Sequence, residues 1–197
     1  MRALPTLMFT SFAFLLPAVT GPPAGAQDHP CFLAGASTEE AAERPSPLGH
    51  TSFTLGGETA SVCYGRPSAR GREIMGELVP FDRPWRTGAN EATALHLPFA
   101  AEVGGLELEP GSYSLYTIPG REEWEIVING EVERWGVPID ADVRKADVGT
   151  FTRPAETTAE MVEQLTFRWE PRSETMGHLV LEWEHTRVEI PVRRQGM

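Results

Sequence analysis

An all-β fold is what this chain predicts: a jelly-roll-like antiparallel β-sandwich of about ten short strands with little helix. Three observations predict it. Apolar and polar residues alternate in one segment after another, which gives sheets a dry face and a wet face. Gly-Gly, Pro-Gly and Asn-Gly pairs close these segments at short intervals. Helical periodicity is nearly absent, with residues 156–164 alone offering a helical turn or two.

The elements follow in order. Residues 1–26 have the pattern of a secretory signal peptide: Arg2 at the start, an apolar run through Phe9, Phe12, Phe14, Leu15 and Leu16, and Ala24-Gly25-Ala26 as the cleavage site. Pro17, Pro22 and Pro23 cut the run short of the ~20 residues that a membrane span needs. Asp28, His29 and Pro30 before Cys31 do not suit a lipoprotein signal. The expected product is exported, periplasmic or secreted, with no membrane insertion after removal of the signal. Residues 27–49, with the stretch ASTEEAAERPSP, have almost nothing to bury and read as a flexible N-terminal arm.

The β-sandwich domain is expected over residues 50–193. TSFTL and ETASVCY flank Gly56-Gly57 as a hairpin. ATALHLPF sets Leu95, Leu97 and Phe99 against His96, and AEV and LELE flank Gly104-Gly105. Pro110-Gly111 and Pro119-Gly120 bracket SYSLYTI, and EWEIVI alternates Trp124, Ile126 and Ile128 with acids before Asn129-Gly130 turns the chain. QLTFRWE, HLVLEWE and RVEIPV close the domain, with Trp169 and Trp183 on the apolar phase.

Loss of the leader removes Arg2 and no acidic residue, which takes the formal net charge from −11 to −12. Such a surface repels nucleic acid and anionic lipid, so neither is expected as a partner. No P-loop or dinucleotide fingerprint is present, and no cofactor is implied. The five histidines are scattered without a second ligand at helix or turn spacing, so no metal is expected. Cys31 and Cys63 are the only cysteines. They make either one disulfide tying the arm to a strand, or a buried Cys63 beside an incidental Cys31.

One block stands out. The segment from Gly65 to Ala89 is too long for a hairpin loop and carries glycines and prolines throughout. Ile74, Met75, Leu78, Val79, Phe81 and Trp85 are its apolar anchors, so it should be an ordered loop. Arg66, Arg72 and Arg86 offer planar guanidinium forks that suit a carboxylate or phosphate. Asn90 adds a donor and an acceptor, Glu91 an acceptor or base, and Trp85 a ring face.

The motifs GRPSARGREIMGELVP, WRTGANEAT, GSYSLYTIPG, EWEIVIN and LEWEHTRVEIPV resemble a bacterial family of exported domains, domain-of-unknown-function family 2911. The resemblance runs from about Pro45 to about Val192. It implies an all-β protein of the cell envelope and carries over no reaction and no catalytic residue. The chain departs from the family pattern after LVP, where Phe81-Asp82 replaces a usual Tyr-Gly pair and Pro84 precedes Trp85. A tyrosine hydroxyl is therefore not available there.

Three readings of the block stay open. In the first, a non-catalytic module binds a small polar or anionic ligand through Arg66, Arg72, Trp85, Arg86, Asn90 and Glu91. In the second, the block is an internal clasp, with Arg86 paired to Glu91 and Asn90 satisfying loop backbone. In the third, a hydrolase or isomerase uses Glu91 or His96 as base. Ser68 lacks the strained elbow of a hydrolase nucleophile. The first reading is favoured. Oligomeric state is not legible.

Overall fold

The computed structural model describes residues 31–196, so the expected signal peptide lies outside the described residues. Nine strands form one antiparallel sheet: β1 (Leu48–Leu55), β2 (Glu58–Gly65), β3 (Thr93–Leu97), β4 (Ala101–Val103), β5 (Leu106–Leu108), β6 (Gly111–Pro119), β7 (Glu123–Asn129), β8 (Asp147–Pro171) and β9 (Met176–Arg194). Their spatial order is β1-β2-β3-β6-β7-β8-β9-β4-β5. The all-β antiparallel class is as the alternation requires.

This one sheet folds over its own core. Strand β8 makes the fold possible because it serves both halves. It pairs with β7 up to Pro154 and with β9 from Ala155 onward. The two halves meet where the Phe53 ring stacks on Trp169 at 4.2 Å and Tyr64 meets Phe167 edge-on at 4.8 Å. The expected apolar phases fill the space between: Leu95 and Leu97, Trp124, Ile126 and Ile128, Leu165 and Phe167, Leu179, Leu181 and Trp183, then Val188, Ile190 and Val192. Trp169 is only partly buried at the margin.

Two expectations about the strands need correction. HLVLEWE and RVEIPV are one strand, the 19-residue β9. QLTFRWE is the end of the 25-residue β8, and the helical turns expected at residues 156–164 are extended backbone inside it. The polar run there hides its strand character because it lies mostly outside the core. From Thr157 to Thr166, β8 advances much farther than β9 does from Thr186 to Glu182, so extra β8 residues bulge out unpaired. Glu184 opposite sits at φ 55°. Bulges of this kind bend a strand and steepen its twist.

The arm expected to be flexible over residues 27–49 is a fastened segment in its described part. Helix α1 (Thr38–Glu43) starts with a capping box, in which Ser37 accepts from the Glu40 amide and Glu40 accepts from the Ser37 amide. Ala41 is buried and β1 begins at Leu48. Cys31 is disulfide-bonded to Cys63 on β2, with a Cα–Cα distance of 5.7 Å. A second short helix, α2 (Ala141–Arg144), sits in the connection after β7. That connection covers the outer face of the sheet. Asn129 donates to the Val143 carbonyl, and the buried Tyr116 hydroxyl donates to Asp147.

Candidate functional site

The long loop between β2 and β3 is held by its own backbone. Its two ends cross at glycines. A Cβ on Gly65 would lie 2.1 Å from the Ala89 carbonyl oxygen, and one on Gly88 would lie 2.9 Å from Thr93 Oγ1. Only glycine permits that approach. Ile74 and Val79 are fully buried. The amides of Ile74 and Met75 donate to the Glu184 carboxylate.

At Trp85 the loop takes over the place that β3 vacates. The Trp85 amide donates to the Thr117 carbonyl at 2.7 Å, and the Thr117 amide returns the bond at 2.9 Å. The Trp85 ring lies parallel to Trp183 at 5.9 Å and edge-on to Trp124 at 5.8 Å. The next residues are strained. Thr87 sits at φ 55° and Asn90 at φ 63°, costly for a β-branched threonine. Thr87 is fully buried, and its hydroxyl is within hydrogen-bond distance of the Thr117 hydroxyl and the Trp85 carbonyl.

These turns split the predicted block into two places. Arg66, Asn90 and Glu91 form a clasp. Arg66 donates to the Leu165 carbonyl and the Thr166 hydroxyl, tying the loop to β8. Asn90 donates to the Ser46 carbonyl of the arm. Glu91 accepts from Arg44 Nη1 at both oxygens, 2.9 and 2.8 Å. The pair expected between Arg86 and Glu91 is therefore not formed. Two left-handed residues, Thr87 and Asn90, lie between them and send the two side chains to different cavities. Arg44, whose role no local signal in the sequence betrays, takes the glutamate instead.

Arg72, Trp85 and Arg86 line a cleft of about 340 Å³, with Trp183 and the half-exposed Leu78 and Val137 completing its apolar wall. Arg86 is half-buried. A Cβ on Gly136 would stand 2.6 Å from its Cδ, so the stem is pinned under that residue. Its Nε donates to the Gly88 carbonyl at 3.2 Å. Among the described residues no carboxylate lies within ion-pair distance of Arg86, and burial pulls its pKa below the ordinary arginine value. It stays a cation, since arginine does not give up its proton in a protein. Arg72 is exposed and folded onto its own loop, donating to the Ser68 and Ala69 carbonyls.

The contrast with other arginines is sharp. Arg187 touches Glu170, Glu182 and Glu189, and Arg168 touches Glu170 and Glu182. Burial would lower the Arg187 pKa, yet the hydrogen bonds to those carboxylates outweigh it and raise it. These two are satisfied within the β8–β9 face. Among the described residues no acidic side chain lines the Arg72–Arg86 cleft.

His96 is buried rather than solvated, with Nδ1 2.7 Å from the Ser112 hydroxyl, and it does not line the cleft. A group the sequence did not single out lies under the β7–β8 connection. Burial, then the hydrogen bond to Asp147, pushes the Tyr116 hydroxyl up to about 12, and Asn129 donates to the same Asp147. One set of possible metal ligands is assembled by sheet register: Cys31, His50 and Cys63, although the disulfide engages both sulfurs.

Comparison with curated proteins and with solved structures gave no match. A family model matches residues 46–192, most of the chain and all of the clasp and cleft except Arg44. The chain thus belongs to the family of proteins of unknown function DUF2911.

Proposed function

We propose that this protein is an exported, non-catalytic module that binds a small anionic ligand in the Arg72–Arg86 cleft. One observation carries the reading. In a chain of net charge −11, the described residues that line the cleft include two arginines and no carboxylate. A half-buried guanidinium with one carbonyl partner keeps donors for a carboxylate or phosphate. The Trp85 ring, with the half-exposed Leu78 and Val137, favours a ligand that carries a flat or apolar body beside its charge. The volume is near the lower end for small-molecule sites, which run roughly 300–1,000 Å³.

Catalysis is not favoured, because neither candidate base reaches the cleft. Glu91 is engaged by Arg44, and His96 lies elsewhere. Export is supported by the leader pattern and by the disulfide, which persists in oxidising compartments. No described helix is long and apolar enough to cross a membrane.

A thermal-shift panel of phosphate, acetate, benzoate and glucuronate tests the reading. At ten times its Kd an anion contributes about 1.4 kcal/mol, or a rise of about 3–6 °C for a chain of this size. The expected result is stabilisation of the wild type by at least one anion and none of Arg86→Gln. Equal stabilisation of both proteins, or of neither by any anion, overturns the reading.

A further inference from the structure

Cys31, His50 and Cys63 come from three places that no metal-binding spacing in the sequence connects. The β1–β2 ladder sets His50 directly opposite Cys63, so the two side chains stand on one face of the hairpin. The disulfide brings Cys31 to the same point. The two sulfurs and a ring nitrogen of His50 all lie within 4.8 Å of one another. Cys63 is buried, Cys31 intermediate and His50 exposed, so the cluster has a protein side and a solvent side.

We propose that reduction of the Cys31–Cys63 disulfide turns this cluster into a binding site for one zinc(II) ion. A dithiol reductant supplies two electrons and two protons. The protein S–S bond breaks, each cysteine gains a hydrogen, and the reductant leaves as its own disulfide. Zinc then takes the two sulfurs as thiolates and one imidazole nitrogen of His50, releasing two thiol protons to water. Water on the exposed side supplies the fourth ligand of a tetrahedral ion.

The geometry needs a modest adjustment. With Zn–S bonds of about 2.3 Å, the sulfurs around a tetrahedral ion stand about 3.8 Å apart. His50 and Cys63 are fixed on paired strands, so Cys31, on the arm outside the sheet, is the ligand that moves. In the oxidised protein no thiolate exists to bind the ion, so the site is gated by redox state. The arm is then held to β2 by a covalent bond under oxidising conditions and by the ion under reducing ones.

The full chain, reduced with a dithiol and freed of reductant without air, is titrated with cobalt(II) and then zinc(II). The expected result is one equivalent of cobalt with thiolate-to-cobalt charge-transfer absorption, displaced by zinc, and no such absorption in the oxidised chain. His50→Gln keeps both thiols and should bind at least about tenfold more weakly, the scale seen even for outer partners of metal ligands. Absence of cobalt binding by the reduced wild type overturns the proposal, and so does equal binding by His50→Gln. If reduction unfolds the chain, recovery of the far-UV dichroism on adding zinc replaces the absorption readout. Recovery that depends on His50 supports the site, and no recovery overturns it.

Discussion

Replacing Arg44 by Met removes the ion-pair partner of a buried glutamate. Glu91 is 8 % exposed, and both of its oxygens rest on one nitrogen, Arg44 Nη1. The pair is neither on the surface nor sealed, with side chains 22 % and 11 % exposed. Exposed pairs contribute about 0.2–1 kcal/mol, whereas stranding a fully buried charge costs about 3–5 kcal/mol. The partial exposure places Arg44→Met between them, at about 2 kcal/mol. For a domain of this size that is a fall in Tm of about 4–8 °C. Glu91→Gln keeps an acceptor for Arg44 and should cost about 1 kcal/mol. Scanning calorimetry and urea unfolding of the two single variants and the double variant give the coupling, expected to be about 1 kcal/mol or more. A coupling below about 0.3 kcal/mol, within the error of independent sites, would refute the clasp.

Three further outcomes follow from the same geometry. Gly65→Ala pushes a methyl group into the Ala89 carbonyl and should cost about 1–3 kcal/mol in urea unfolding, the range for overpacking, while weakening any ligand of the cleft. Hydrogen bonds from Arg168 first, against the opposing effect of burial, and then from Arg187 hold the Glu170 and Glu182 carboxyls below the ordinary 4.5. Their stabilisation is present above that pH and is lost as pH falls through the lowered values, so the stability gap between wild type and Arg168→Met should be widest above about pH 5 and narrow toward pH 2. A gap independent of pH would count against it. Tyr116, raised to about 12, loses its stabilisation from pH 10, where the unfolded chain ionises, up to pH 12. Alkaline unfolding of Tyr116→Phe should be less steep across that window, and an unchanged slope would contradict the assignment.

Much of the sheet was legible because its signals are local. Gly56-Gly57 and Gly104-Gly105 make hairpins with every glycine at positive φ, and Trp124, Ile126 and Ile128 keep strict phase into the core. The first third of β8, DVGTFTRP, was not legible. It is only partly covered, so its residues need not alternate in polarity. The capping box that starts α1 was present in the sequence as Ser37 and Glu40, but the polar surroundings masked it. The site was legible as a loop and not as a geometry. Residue types marked Arg72, Trp85 and Arg86 as a group, which the cleft brings together. They could not show that Thr87 and Asn90 would turn Glu91 away toward Arg44, forty-seven residues earlier. The partner of a buried charge is set by tertiary contacts, and spacing along an irregular loop carries little of that information.

The Arg86 cation lies in the cleft, and the indole ring beside it supplies the probe. Titrating benzoate against tryptophan fluorescence should give a saturable change in the wild type, with a Kd on the order of a millimolar or tighter for so small a ligand. Arg86→Gln, folded by dichroism, should show none. A saturable change of equal midpoint in both proteins, or no saturable change in the wild type with benzoate or any other anion of the panel, would contradict the cleft as an anion site.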